Sequence, residues 1–182
     1  RILAALEKSG QADNTIVIFT SDHGLALGSH GLMGKQNMYE HTINVPLVIR
    51  GPGFPVGKKC NAQCYLRDLV PTCLELAGIE VPASVEAASL MPAVRGEIDE
   101  IHRFIIGYFA DKQRMIRMQD WKYIYYPQVE REQLFFLGND PYELKDLSRD
   151  RRAVGIRDEL RAEMIQWLQN HGDPLEYGNA PE

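Results

Sequence analysis

Thr15-Ile16-Val17-Ile18-Phe19-Thr20-Ser21-Asp22-His23-Gly24 decides how the rest of the chain is read. Ile16 to Phe19 is an unbroken run of β-branched and aromatic residues, and the stretch ends in an acid, an imidazole and a glycine. Continuous apolarity, in place of alternation, predicts a parallel strand covered on both faces. Open α/β sheets bind ligands just beyond the carboxyl ends of such strands. On a continuing strand Asp22 and His23 would face opposite ways. Gly24 gives the chain freedom to turn there and bring both side chains to one ligand. A carboxylate and an imidazole converging at that point form a candidate divalent-metal site. The same tripeptide also serves as a plain turn in which Asp caps backbone amides, so the neighbouring sequence has to decide between the two.

Upstream, Arg1 to Lys8 reads as a helix ending near Gly10, with Ile2, Leu3 and Leu6 on one side. Nothing precedes Arg1 to cap its first amides, and there is neither an initiator Met nor a signal sequence. The expectation is a longer parent chain cut in or just before this helix, with compartment left open. Downstream, the four glycines between Gly24 and Gly34 predict a surface loop with no regular element. Lys35 follows directly. Val45 to Arg50 reads as a second apolar strand, stopped by Gly51-Pro52-Gly53, with Pro46 near its start because it cannot donate to a ladder.

Leu66 to Gly78 reads as a helix with Leu66, Leu69, Val70, Cys73, Leu74 and Ala77 on one face, Asp68 as its N-cap and Pro71 in the first turn. Cys73 then becomes a buried small hydrophobe. Glu80 to Glu100 shows no period and reads as a surface excursion. From Arg103 four short strands are expected, around Phe104–Phe109, Gln113–Met118, Trp121–Tyr126 and Gln133–Leu137. Partial alternation through Met115, Arg117, Lys122, Ile124 and Tyr126 predicts a sheet with one wetter face. A final helix carries Ile156, Leu160, Met164, Trp167 and Leu168 in one stripe, with Arg157, Glu159, Arg161 and Glu163 on a solvated side. Residues after Gly172 read as a tail. The fold class is thus α/β: parallel strands with helices over 1–100, then a small antiparallel sheet packed by a C-terminal helix over 101–182.

A net charge of −5 over 182 residues gives no basic footprint for nucleic acid, and no apolar run is long enough to span a membrane. Cys60, Cys64 and Cys73 have no companion Cys/His pair, which argues against a structural zinc.

Several motifs occur in order: Asp13 to Gly24, Gly34-Lys35, Tyr39-Glu40, Val45 to Gly53, Asp68 to Ile79, Trp121 to Tyr126 and Leu134 to Leu147. Together they resemble the C-terminal half of type I sulfatases, members of the alkaline phosphatase-like superfamily. That resemblance implies an alkaline phosphatase-like fold, with Asp22 and His23 as ligands of a divalent cation, usually calcium. It implies Lys35 as the catalytic contact to sulfate oxygens. A compact ammonium suits a tetrahedral oxyanion whose leaving oxygen gains charge as the S–O bond breaks. An imidazole ligand also keeps manganese and magnesium open. Sulfatases attack with a formylglycine made within Cys/Ser-x-Pro-x-Arg. Cys64 leads into Tyr-Leu-Arg-Asp, and neither Cys60 nor Cys73 does better. The nucleophile is therefore expected in a missing N-terminal part, and the chain alone is expected to be inactive.

The implied substrate is a sulfate-ester small molecule or a sulfated carbohydrate. The oligomeric state stays open. A phosphonate or phosphodiester hydrolase of the same superfamily, or a non-catalytic scaffold, would share these residues. His30 and His41 are expected to be structural or surface side chains, Glu40 a structural hydrogen-bonder, and Tyr123 to Tyr126 sheet packing.

Overall fold

The computed structural model describes residues 1–175 and Tyr177. In chain order the elements are α1 (Ile2–Lys8), β1 (Val17–Phe19), β2 (Ala26–Leu27), β3 (Met33–Gly34), α2 (Glu40–Ile43), β4 (Val48–Arg50), α3 (Leu69–Leu76), α4 (Met91–Arg95), β5 (Ile105–Phe109), β6 (Gln113–Met118), β7 (Trp121–Tyr126), β8 (Arg131–Phe136) and α5 (Val154–Asn170). They form two compact units, Arg1–His23 with Val45–Ile101, and Gly24–Asn44 with the region from His102 onward.

In the first unit β1 pairs with β4, Ile18 opposite Ile49 and Phe19 opposite Val48. The pairing is antiparallel, which corrects the expectation of parallel strands in this region. An apolar run reports how a strand packs, and says nothing about the direction of its neighbour. Nor are both faces covered, since Phe19 is 64% and Val48 59% exposed. Pro46 lies ahead of β4, where its missing N–H costs no ladder bond.

α3 forms where expected, but it turns a different face inward. Pro71 and Thr72 are buried, whereas Leu66, Val70 and Cys73 are exposed. The reason is polar. Thr72 Oγ1 donates to the Asp68 carbonyl at 2.6 Å and accepts the Leu90 N–H at 2.9 Å. Asp68 does not cap α3. Its carboxylate folds back over the preceding 3₁₀ turn to accept the N–H groups of Tyr65 at 2.7 Å and Ala88 at 3.1 Å. Asp68 and Thr72 thus satisfy backbone donors of the segment opposite, as buried polar groups must. That segment runs into α4, with Leu90, Met91 and Ala93 buried. A five-residue helix is too short to show a period, so the stretch from Glu80 to Glu100 is more structured than its sequence suggests.

The second unit is an antiparallel meander in the order β5-β6-β7-β8, with Ile116 opposite Tyr123 and Tyr123 opposite Leu134. α5 lies on one face, where Leu160, Met164 and Leu168 meet Ile106, Ile116, Tyr123 and Leu134. The other face, expected to be wetter, is also buried: Met115, Ile124 and Phe135 pack under Met38, Tyr39 and Leu137. Lys122 on that face is completely buried. Gly107 is bare for the same reason, since a Cβ there would lie 2.8 Å from Met115 Cε and 3.0 Å from Met38 Sδ. The glycine-rich stretch contains a short ladder after all, Ala26 opposite Gly34 and Leu27 opposite Met33.

Arg157 and Arg161 are mostly buried and do not belong to a solvated side of α5. Arg161 Nε lies 3.2 Å and Arg157 Nε 3.9 Å from the Glu132 carboxylate, which also accepts the Tyr123 hydroxyl at 2.7 Å. The expected tail is tied down at its start, where the Asp173 carboxylate accepts Arg114 Nε–H at 2.6 Å with both side chains buried. Glu176 and residues 178–182 lie outside the described residues. Among those described, no helix is long and apolar enough to cross a membrane.

Candidate active site

Beyond β1 the backbone leaves the strand, and Ser21 Oγ–H donates to the His23 carbonyl at 2.8 Å. That bond closes a turn in which two neighbouring side chains converge, with His23 Nε2 lying 3.1 Å from Asp22 Oδ2. The Asp22 side chain is 76% exposed and that of His23 30% exposed. A carboxylate oxygen and a ring nitrogen aimed at one point can share a proton or take a cation. Among the described residues no third acidic, histidine or cysteine side chain joins them to make a metal-sized group. The pair therefore fits part of a ligand set.

Gly24 is needed for a reason other than turning. Its N–H donates to the Thr42 carbonyl at 2.8 Å, and a Cβ would sit only 2.1 Å from the His41 carbonyl oxygen. Any side chain at this position would force the Gly24 and His41–Thr42 backbones apart.

Asp22 and His23 belong to the first unit and Lys35 to the second. Lys35 is exposed and directly follows β3. The residues after it are held firmly: Asn37, Met38 and Tyr39 are buried. The Tyr39 hydroxyl donates to Gln133 Oε1 at 2.9 Å, and the Tyr126 hydroxyl donates to the same oxygen at 2.8 Å. Glu40 plays the structural part expected of it. Its carboxylate accepts from Arg117 at 2.8 Å and from Lys122 at 3.0 Å, and its own N–H donates to Glu143 Oε2 at 2.7 Å. Lys122 Nζ also lies 2.7 Å from Glu143 Oε1. Burial pushes the Glu143 carboxyl up from its ordinary range, and Lys122 opposes that rise. Sequence reading missed Lys122, Arg117 and Glu143 as a buried set, because a lysine and an arginine in alternating strands read as solvent-facing.

His30 stacks on Tyr39 with ring centroids 3.9 Å apart, and its Nε2 lies 3.0 Å from the Tyr142 carbonyl. His41 continues the stack at 5.6 Å from His30. Burial, helped by His30 and Lys122, holds the His41 imidazole below its ordinary pKa. Tyr123 and Tyr126 are packed into the sheet, and burial raises both phenols. Cys60, Cys64 and Cys73 are free thiols.

Residues 28–170 match the family model described as N-sulphoglucosamine sulphohydrolase, C-terminal. The chain belongs to the sulfatases. This sulfatase chain is 33% identical to the Delta 4,5-hexuronate-2-O-sulfatase of Bacteroides thetaiotaomicron, over 94% of its own length and 38% of that relative's. A solved structure described as in complex with its substrate D-glucosamine-2-N,6-O-disulfate superposes with a TM-score of 0.86 at 30% identity, covering 96% of this chain and 38% of the other. The phosphonate monoester hydrolase of Agrobacterium radiobacter superposes with a TM-score of 0.78 at 26% identity, covering 94% and 38%. The sulfatase chain thus spans well under half the length of each of these relatives. Their shared architecture is the alkaline phosphatase-like fold, of which this chain carries a mixed α/β portion, the antiparallel sheet and the C-terminal helix.

Proposed function

We propose that this chain forms part of the active centre of a sulfate-ester hydrolase acting on sulfated carbohydrates. Asp22 and His23 are two ligands of a divalent cation, and Lys35 contacts the sulfate oxygens. The observation that carries the reading is the convergence of Asp22 and His23 to 3.1 Å at the end of β1. Adjacent residues on a strand diverge, and the turn closed by Ser21 instead brings these two side chains together, which supports the reading. Calcium is the first expectation; because an imidazole is unusual for calcium, manganese and magnesium stay open. When bound, the cation supplies Lewis acidity to an oxygen of the sulfuryl group. Asp22 lends anionic charge to the cation side, His23 a neutral donor nitrogen, and Lys35 a positive charge for the oxyanion. None of the 182 residues falls within Cys/Ser-x-Pro-x-Arg, so the formylglycine nucleophile belongs to another part of the full-length chain.

Asp22→Ala in the full-length chain tests this. Hydrolysis of an aryl sulfate should fall by more than the roughly 10–100-fold that loss of an outer-shell partner costs. The circular dichroism spectrum should be unchanged, because a carboxylate placed beyond a strand end serves the site more than the packing. Turnover like that of the wild type would end the assignment.

The phosphonate hydrolase likeness supports a second reading, since a carboxylate–imidazole pair and a lysine suit phosphoryl oxygens as well as sulfuryl oxygens. Assaying aryl sulfate beside phosphonate monoesters and phosphodiesters separates the two. Higher kcat/KM on a phosphorus ester would replace the sulfatase activity proposed here.

A further inference from the structure

Lys122 is a charged side chain with no exposure at all. On its sheet face it lies between its ladder partners Arg117 and Phe135, beside Met115, Ile124 and Gln133. Its ammonium touches two carboxylates, Glu40 at 3.0 Å and Glu143 at 2.7 Å, and Arg117 supplies the second positive charge at 2.8 Å from Glu40. The set is neutral overall. Replacing such a buried set by well-packed apolar residues typically costs nothing and often stabilises. Stability alone therefore does not account for a lysine here. An ion set differs from an apolar plug in being directional: it fixes where its partners' backbones sit.

Those partners are informative. Glu40 opens α2, and its N–H also donates to Glu143 at 2.7 Å. Glu143 is held in the left-handed region at φ 56°, which costs a non-glycine residue energy that the surrounding contacts must offset. Between Glu40 and Lys35 there is little slack. Tyr39, Met38 and Asn37 are buried, and the Gln36 carbonyl accepts from Gln113 Nε2 at 3.3 Å. The chain is pinned up to the residue next to Lys35.

We propose that Lys122 is a positioning residue for Lys35. By drawing Glu40 and Glu143 together on the sheet it fixes the segment from Gln36 to Ile43, and so fixes the height at which the Lys35 ammonium meets a tetrahedral anion. The antiparallel sheet is then the mount of the anion contact. This rests on the reading of Lys35 given above.

The test is a double-mutant cycle in the full-length chain, measuring kcat/KM on an aryl sulfate and inhibition by inorganic sulfate. Lys35→Ala should lower kcat/KM and raise the sulfate inhibition constant. Lys122→Met should lower kcat/KM about tenfold or more and raise the sulfate constant by a similar factor. In a Lys35→Ala background it should change either value less than about twofold, because residues acting through one another are not additive. Wild-type kinetics in Lys122→Met, or a loss that multiplies fully onto that of Lys35→Ala, would overturn the proposal. If Lys122→Met does not fold, Glu143→Gln keeps an oxygen for the Glu40 N–H and runs the same cycle with the same two outcomes. Failure of the underlying reading looks different: Lys35→Ala alone would then leave both constants unchanged, and the positioning role would fall with it.

Discussion

His41 shows how a single side chain can carry a pH dependence that composition hides. Burial and the nearby His30 and Lys122 hold its imidazole below the ordinary value. In the unfolded chain it titrates near pH ~6.5. Between those two values the unfolded state binds the extra proton, so stability rises with pH there. The contribution is complete above about pH 6.5 and is lost as the pH falls toward the lower, folded value. Urea unfolding at neutral and at mildly acidic pH should therefore show a drop on acidification that is smaller in His41→Gln. An identical drop in both proteins would mean that His41 is not its source. The meeting of Asp22 and His23 was anticipated as a turn after the apolar run, and the Ser21 bond to the His23 carbonyl closes that turn. Glu40 was legible too, through its place after Tyr39. Lys122 was not: in an alternating strand a lysine reads as solvent-facing, and its partners Glu40 and Glu143 come from segments distant in sequence.

Secondary-structure elements were most readable where a period had room to repeat. The stripe on α5 is met in full, with Leu160 and Met164 fully buried against the sheet. Leu160→Ala should cost about 2–5 kcal/mol in urea unfolding, and a loss under about 1 kcal/mol would show that the α5 contact is looser than described. The link from the end of α5 to β6 depends on charge. Burial pushes the Asp173 carboxyl up, but hydrogen bonds from Arg114 and the Leu175 N–H hold it below its ordinary range. Its contribution is thus present above the unfolded value of about 3.9 and lost as pH falls through the lower folded value. Asp173→Asn should cost about 3 kcal/mol at neutral pH, the low end for breaking a buried pair. In strong acid the difference from wild type should vanish; a constant gap at all pH values would mean the pair contributes nothing through charge. Short elements were the illegible ones: β1 and β4 gave no hint of their mutual direction, and α4 is briefer than one hydrophobic repeat.

For the molecule as a whole, the antiparallel sheet and its helix could be anticipated, whereas the interleaving of Gly24–Asn44 with the region after His102 could not. Local pattern records what a segment buries and is silent about which distant segment does the burying. The first unit also presents apolar side chains outward. Phe19 and Val48 are direct ladder partners, 64% and 59% exposed. Facing neighbours of that kind favour association. The 182-residue chain should self-associate in sedimentation velocity, and Phe19→Ser with Val48→Thr should raise its monomer fraction; an unchanged distribution would place the association elsewhere. The shared sheet face has a practical corollary. Anyone dividing the gene at a conventional boundary near codon 100, hoping to harvest the downstream half by itself, would strip off Met38 and Tyr39 from over Met115, Ile124 and Phe135. The same cut would take away one of the two acids neutralising Lys122. That product should come out insoluble, and restoring codons 24–44 through a designed linker, with nothing else from upstream, should bring it back.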